Sequence, residues 1–219
     1  MTLTPAEAMV ETYCSELRLP GLRRAFRTIA REALASGQDY TAFLAACLAQ
    51  ELEARREHRL ERNLRQARFP TVKTLDAFDF TCLPQLPKPR VMALAQGGFI
   101  RARENVVLLG PTGTGKTHIA IALGIAAIQA GFRVRFVPAI TLGQELLQAQ
   151  AEARLPRLLK AWDRYDLVIL DELGYLGLGP GGPLLFQFCA HRHEAKASST
   201  RAGSRFSATP PSPRHSWTA

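Results

Sequence analysis

Eight consecutive residues, Gly110-Pro111-Thr112-Gly113-Thr114-Gly115-Lys116-Thr117, follow the pattern G-x-x-x-x-G-K-[ST], with His118 next in line. Residues of these types in this order suit the holding of a polyphosphate. Glycines let backbone amides fold around a phosphate without Cβ clashes. A helix starting at Lys116 would aim its free amides and the positive end of its dipole at the anion. Lys116 supplies a mobile charge for the β- and γ-phosphates, Thr117 a hydroxyl for Mg2+, and His118 its backbone amide. A second group lies downstream, in Asp166-Leu167-Val168-Ile169-Leu170-Asp171-Glu172. Its four apolar residues read as a buried strand that delivers Asp171 to the carboxyl end, where ligands of open α/β sheets bind. A carboxylate there can hold the hydration shell of Mg2+, and Glu172 can polarise an attacking water as general base. Alone, an apolar run ending in Asp-Glu is weak evidence. Behind a phosphate loop, with one strand predicted between, it becomes strong.

The elements that must position these groups are legible from local pattern. Val106–Leu109 is a short apolar run predicted as the strand before the loop, and Lys116–Ala130 a helix stopped by Gly131. Arg133–Val137 alternates basic and apolar residues as a strand does. Thr141-Leu142-Gly143-Gln144 reads as a capping box opening a helix through about Gln150, and a short helix is expected over 158–165. Leu167–Leu170 closes the set. Strands alternating with helices at this spacing predict a parallel α/β sheet, the P-loop NTPase class. A strand between the loop and Asp171, with Glu172 beside it, points to the ATPases that use a catalytic glutamate. The sequence argues against guanine recognition by Asn-Lys-x-Asp, because the two asparagines, Asn63 and Asn105, both precede the loop and neither is followed by lysine. Trp162 and Tyr165 are expected to pack in the core.

Upstream the pattern is helical. Thr4-Pro5-Ala6-Glu7 is a capping box with proline at the first helical position, and Met9, Tyr13 and Leu17 recur on one face until Pro20-Gly21. Leu22, Phe26, Ile29, Ala30 and Ala33 form a second stripe, closed by Ser36-Gly37. A third helix is expected from about Thr41 to Arg68, its first half carrying Phe43, Leu44, Cys47, Leu48 and Leu52. Its second half carries Arg55, Arg56, Arg59, Arg62, Arg65 and Arg68. Two readings stand for that stretch. Glu51–Arg55 and Glu61–Arg65 are spaced for i,i+4 ion pairs on a solvated face, whereas six arginines also suit contact with phosphates. Pro70, Pro84, Pro87 and Pro89 mark 70–90 as a linker without regular structure.

Composition bounds the rest. The 219 residues carry 28 Lys+Arg against 19 Asp+Glu, a net charge of +9, of which +4 falls in residues 191–219. The basic balance hints at nucleic acid, though its tail share weakens the hint. The longest apolar run, Ile119–Ile128, is short of the roughly 18–20 residues that cross a bilayer. Met1–Met9 holds Glu7 and no basic residue, unlike a secretory signal. Cys14, Cys47, Cys82 and Cys189 lie far apart with no metal-ligand spacing, as expected of reduced thiols in a cytoplasmic protein.

Taken together, Thr74-Leu75-Asp76-Ala77-Phe78-Asp79-Phe80, the run Glu104–Ala122, Arg133–Val137, Asp171-Glu172-Leu173-Gly174-Tyr175 and Leu19-Pro20-Gly21 make the chain resemble the IstB-like helper ATPases of insertion sequences. These are AAA+ relatives of the DnaC helicase loader. The resemblance spans about residues 10–194. It implies an ATP- and Mg2+-dependent helper of DNA transposition that forms homo-oligomers on non-specific DNA and recruits a transposase. A DnaC-like helicase loader and a non-catalytic ATP-binding remnant are the alternatives. By the resemblance, Gly110–Thr117 and His118 hold ATP, Thr117 and Asp171 the metal, and Glu172 activates water.

The pattern departs from that family after Glu194. Residues 196–219 contain no apolar run and have the composition of disorder, and Gly177–Pro183 is rich in glycine and proline. A frameshift or truncation and a natural basic tail both account for this. On the first account the core would be incomplete at the C-terminus and hydrolysis weak. The expected organisation is a helical module over 1–69 for DNA or partner binding, a linker over 70–90, a partial AAA+ core over 91–195 and a disordered tail over 196–219.

Overall fold

In the computed structural model, which describes residues 4–83, 86–173 and 181–201, the helix expected after Thr4 forms as α1 (Pro5–Glu16). The Thr4 hydroxyl accepts from the Glu7 amide at 3.3 Å, and the Thr4 amide donates to the Glu7 carboxylate at 2.8 Å. α2 (Pro20–Ser36) ends where Gly37 turns left-handed at φ +65°. α3 (Tyr40–Ala67) begins beside Asp39, whose Oδ1 accepts from the Ala42 amide at 2.7 Å. The first compact unit, Met1–Arg62, buries Cys14, Phe26, Ala33 and Cys47.

The expected face of Met9, Tyr13 and Leu17 is not the buried one: these residues are 54, 51 and 67% exposed, and Leu44, Leu48 and Leu52 are exposed too. α2 and α3 meet instead through small residues: an added Cβ on Gly21 would lie 2.7 Å from the Ala54 Cβ.

The second unit, Asn63–Ala219, is layered. β1 (Val134–Pro138) and β2 (Leu167–Asp171) pair in parallel, with Val134 opposite Leu167 and Pro138 opposite Asp171. Alternation along the strands divides the core between two faces. On one face Val137, Val168 and Leu170 join Leu142 and Leu146 of α7 (Ala139–Ala151), Leu159 and Trp162 of α8 (Leu155–Trp162), and Leu184, Leu185 and Phe188 of α9 (Gly181–Arg201). On the other lies α6 (Lys116–Gln129), the helix behind the phosphate loop, preceded by α4 (Lys88–Ala95) and α5 (Gly98–Ala102). α6 comes so close that an added Cβ on Gly124 would meet Ile169 Cδ1 at 2.7 Å and Phe69 Cζ at 2.8 Å. Gly131 ends α6 at φ +92°, as its sequence position requires. Trp162 and Tyr165 are buried in the core.

Several expectations need correction. Val106–Leu109 forms no strand: Val107 makes a single bridge, and Val107 and Leu109 are about half exposed at 48 and 51%. An apolar run records a preference for burial, but a strand also needs a neighbour for its ladder, and among the described residues the sheet has only β1 and β2. The segment 70–90 is not wholly irregular. Asp79 accepts from the Thr81 amide at 2.9 Å and starts a 3-10 turn over Phe80–Cys82, and α4 begins at Lys88 with Pro89 in its tolerant first turn. α7 starts at Ala139, so Thr141 lies inside the helix and caps nothing, and Pro156 sets the start of α8 three residues before the expected one. Finally, α9 includes Gly181–Pro183 and continues through Arg201, into the stretch whose composition suggested disorder. Residues 174–180 and 202–219 lie outside the described residues, as does most of the Gly177–Pro183 loop.

Candidate functional site

The phosphate loop is shaped by its glycines. Gly113 and Gly115 stand at φ +83° and +76°, a region other residues enter at a cost. Gly115 is the N-cap of α6, and no side chain caps that end, so the first amides of the helix remain available to an anion. Thr114 Oγ1 donates to the Pro111 carbonyl at 2.9 Å and stitches the loop across. Lys116 Nζ donates to the carbonyls of Gly110 at 2.8 Å and Pro111 at 2.6 Å, which keeps the ammonium folded over the loop.

Fifty-four residues separate Thr117 from Asp171, yet Thr117 Oγ1 donates to Asp171 Oδ2 at 2.9 Å. β2 explains the meeting: its ladder with β1 ends at Asp171 and places that carboxylate over the first turn of α6. The other oxygen, Oδ1, accepts from the Glu172 amide at 3.0 Å. Glu172 itself leaves the strand with φ +61°, and its side chain is exposed. One hydroxyl beside one carboxylate is an oxygen donor set that suits Mg2+, which keeps several waters and takes further oxygens from phosphates. Among the described residues no group of three or more His, Cys, Asp or Glu could form a protein-only metal site.

Gly110 to Thr117, Asp171 and Glu172 thus gather at one end of α6 and β2. The structure adds what pattern alone did not show. The His118 side chain is engaged: its Nε2 lies 2.9 Å from the Thr74 carbonyl, and its ring meets Phe78 edge-on at 5.1 Å. Phe78 in turn sits against the loop, its Cε2 2.6 Å from where a Cβ on Gly115 would be. Two aromatics, Phe78 and Phe80, in an otherwise proline-marked segment were the available signal, and their rings pack edge to face at 4.8 Å.

The arginine stretch of α3 divides. Arg55 pairs with Glu51 at 2.7 Å and Arg56 with Glu53 at 3.3 Å, whereas the expected Glu61–Arg65 pair does not form. Arg59, Arg62 and Arg65 are exposed and make no ion pair with the described residues.

A parallel sheet, a glycine-shaped loop at a helix N-terminus and a carboxylate brought to the loop's threonine define a P-loop NTPase. The profile of the family described as IstB-like ATP binding protein matches residues 12–204, and the chain belongs to that family. It is similar to a protein of Pseudomonas aeruginosa named as an ATP-binding protein of insertion sequence IS21, 40% identical over 86% of this chain and 71% of the relative. A Geobacillus stearothermophilus protein named as an ATP-binding protein of insertion sequence IS5376 is 34% identical over 84% and 74%. A third relative, an insertion-sequence ATP-binding protein of Sinorhizobium fredii, is 35% identical over 91% and 68%. No helix among the described residues is long and apolar enough to cross a membrane.

Proposed function

We propose that the chain binds ATP with Mg2+ and acts as a helper in the transposition of an insertion sequence, using the nucleotide to control its hold on DNA and on a transposase. The observation that carries this reading is the Thr117–Asp171 hydrogen bond at 2.9 Å, which joins the loop to the end of β2. Relatives named as ATP-binding proteins of insertion sequences favour transposition over helicase loading.

Each residue then has a task. The amides from Gly113 to Thr117 and the dipole of α6 take up phosphate charge, while Lys116, with one N–H beyond the two given to the Gly110 and Pro111 carbonyls, serves the β- and γ-phosphate oxygens. Thr117 and Asp171 would hold Mg2+, which when bound neutralises the charge that develops on the phosphates. Glu172, outside the strand and exposed, is the group that would accept a proton from an attacking water. Arg59 and Arg62, lacking ion-pair partners among the described residues, offer their guanidinium groups to DNA phosphates without reading sequence. Assembly into homo-oligomers on DNA belongs to the same proposal.

Titration with a fluorescent ATP analogue tests the first step, and Lys116→Ala is expected to abolish binding without altering helical content. Capture of the transposase of the same insertion sequence, more strongly with ATP than without, tests the second. Equal affinity of wild type and Lys116→Ala, or capture indifferent to nucleotide, would sink the corresponding step.

A further inference from the structure

We propose that the His118 side chain is a positioning residue for nucleotide binding: its Nε2–H pins residues 74–80 against the phosphate loop and so fixes the loop's shape before a ligand arrives. The inference rests on the nucleotide reading above.

A backbone carbonyl only accepts, so the 2.9 Å contact with the Thr74 oxygen requires a hydrogen on Nε2, whether the ring is neutral or charged. The same ring meets Phe78 edge-on at 5.1 Å. Phe78 then lies on Gly115, the left-handed N-cap immediately before Lys116. One side chain from the first turn of α6 thus holds both ends of a short path, carbonyl and ring, that closes over the residue on which the loop turns. The segment is also seated apolarly, with Leu75, Phe78 and Phe80 packed on Val91, Ile119 and Leu123. Apolar seating alone tolerates sliding, whereas a directed hydrogen bond sets register. A loop already held in place loses less conformational freedom when it closes on a phosphate, and that difference appears as affinity.

The experiment uses the full chain, a fluorescent ATP analogue for affinity and hydrogen exchange of the 74–80 amides for the pin itself. His118→Phe keeps an aromatic ring against Phe78 but cannot donate. His118→Gln keeps a donor but loses the ring. Loss of one such bond should weaken affinity by roughly threefold to tenfold in His118→Phe and speed exchange at 74–80, with His118→Gln recovering most of both. A His118→Phe protein that binds as wild type does, with or without faster exchange, overturns the proposal. Should His118→Phe fail to fold, Phe78→Leu carries the test: threefold weaker binding at an unchanged melting temperature supports the path through Phe78, and unchanged binding overturns it. If wild type shows no binding that depends on Lys116, the nucleotide reading falls and takes this proposal with it. Lys116-dependent binding that ignores His118 defeats the positioning role alone.

Discussion

The carboxylate of Glu51, on α3, caps a helix other than its own: its Oε2 accepts from the amide of Gly21 at 2.7 Å and of Leu22 at 3.1 Å, at the start of α2. Leu19, the residue at the N-cap of α2, has no side-chain acceptor to offer. The second oxygen accepts from Arg55 Nε at 2.7 Å, and Arg55 Nη2 donates to the Arg18 carbonyl at 3.1 Å, so the pair ties the α1–α2 turn to α3. Glu51 is 4% exposed, and a buried carboxylate with this many donors stabilises only while it stays charged and fully bonded.

Glu51→Ala should therefore destabilise the helical unit by about 1.5–3 kcal/mol, the scale of hydrogen bonds to a charged group. Burial works to raise the Glu51 pKa, but the Arg55 hydrogen bond, the Leu22 and Gly21 amides and the Arg55 charge outweigh it and hold the carboxyl below its ordinary 4.5. A depressed carboxylate contributes its stability above the unfolded value and loses it as pH falls through the folded one. Acid unfolding followed by circular dichroism should show a loss of stability below about pH 4.5 that Glu51→Ala lacks. A parallel pH dependence in both proteins would contradict this.

Gly21→Ala should cost about 1–3 kcal/mol, because the new methyl meets Ala54 in a seam with no room. Ala54→Gly removes the nearest obstacle and leaves the Glu51 Oε2 and Gln50 carbonyl contacts at 3.0 and 3.1 Å. The double variant should be more stable than the sum of the two single changes predicts, read from denaturant midpoints, and strict additivity would show that the seam is not where the strain lies.

Asp171→Asn should weaken nucleotide binding more in the presence of Mg2+ than in its absence, since the carboxylate is assigned to the metal and not to the phosphates. Thr117→Val should do the same to a smaller degree. The measurement is affinity for the fluorescent analogue with Mg2+ and with chelator. An equal loss in both conditions would mean that the 2.9 Å contact between these side chains is structural only.

DNA binding should be sequence-tolerant and fall steeply with salt. Replacing Arg59 and Arg62 by alanine should reduce the slope of log affinity against log salt by about 2, one for each phosphate no longer neutralised. Arg55 must be left in place, because its removal would disturb the Glu51 cap and confuse unfolding with weaker binding. A slope unchanged by the pair would place the DNA-binding surface elsewhere.

The geometry of the candidate site was largely legible in the sequence because its information is local. Gly110–Thr117 are contiguous, the Thr4–Glu7 capping box closes within one turn, and Gly131 follows directly on the helix it ends. Asp171 needed only the inference that an apolar run is a strand and that its end reaches the loop. What failed depends on partners that pattern does not reveal. Val106–Leu109 has the composition of a strand but gains only the single bridge at Val107. Met9, Tyr13 and Leu17 have the period of a buried face, yet they are exposed and Cys14 is the residue that α1 buries. The contact of the His118 side chain is not legible from motif because its acceptor, the Thr74 carbonyl, lies 44 residues upstream and is part of the backbone.

Two of the three N–H groups of Lys116 are already engaged by the carbonyls of its own loop, which leaves one for an oxygen arriving from outside. On the reading proposed above, a phosphate would meet an ammonium whose long side chain is already held in one place. Little rotamer freedom would then be lost at Nζ when the anion binds. The lysine would act as a charge fixed in position before its partner arrives.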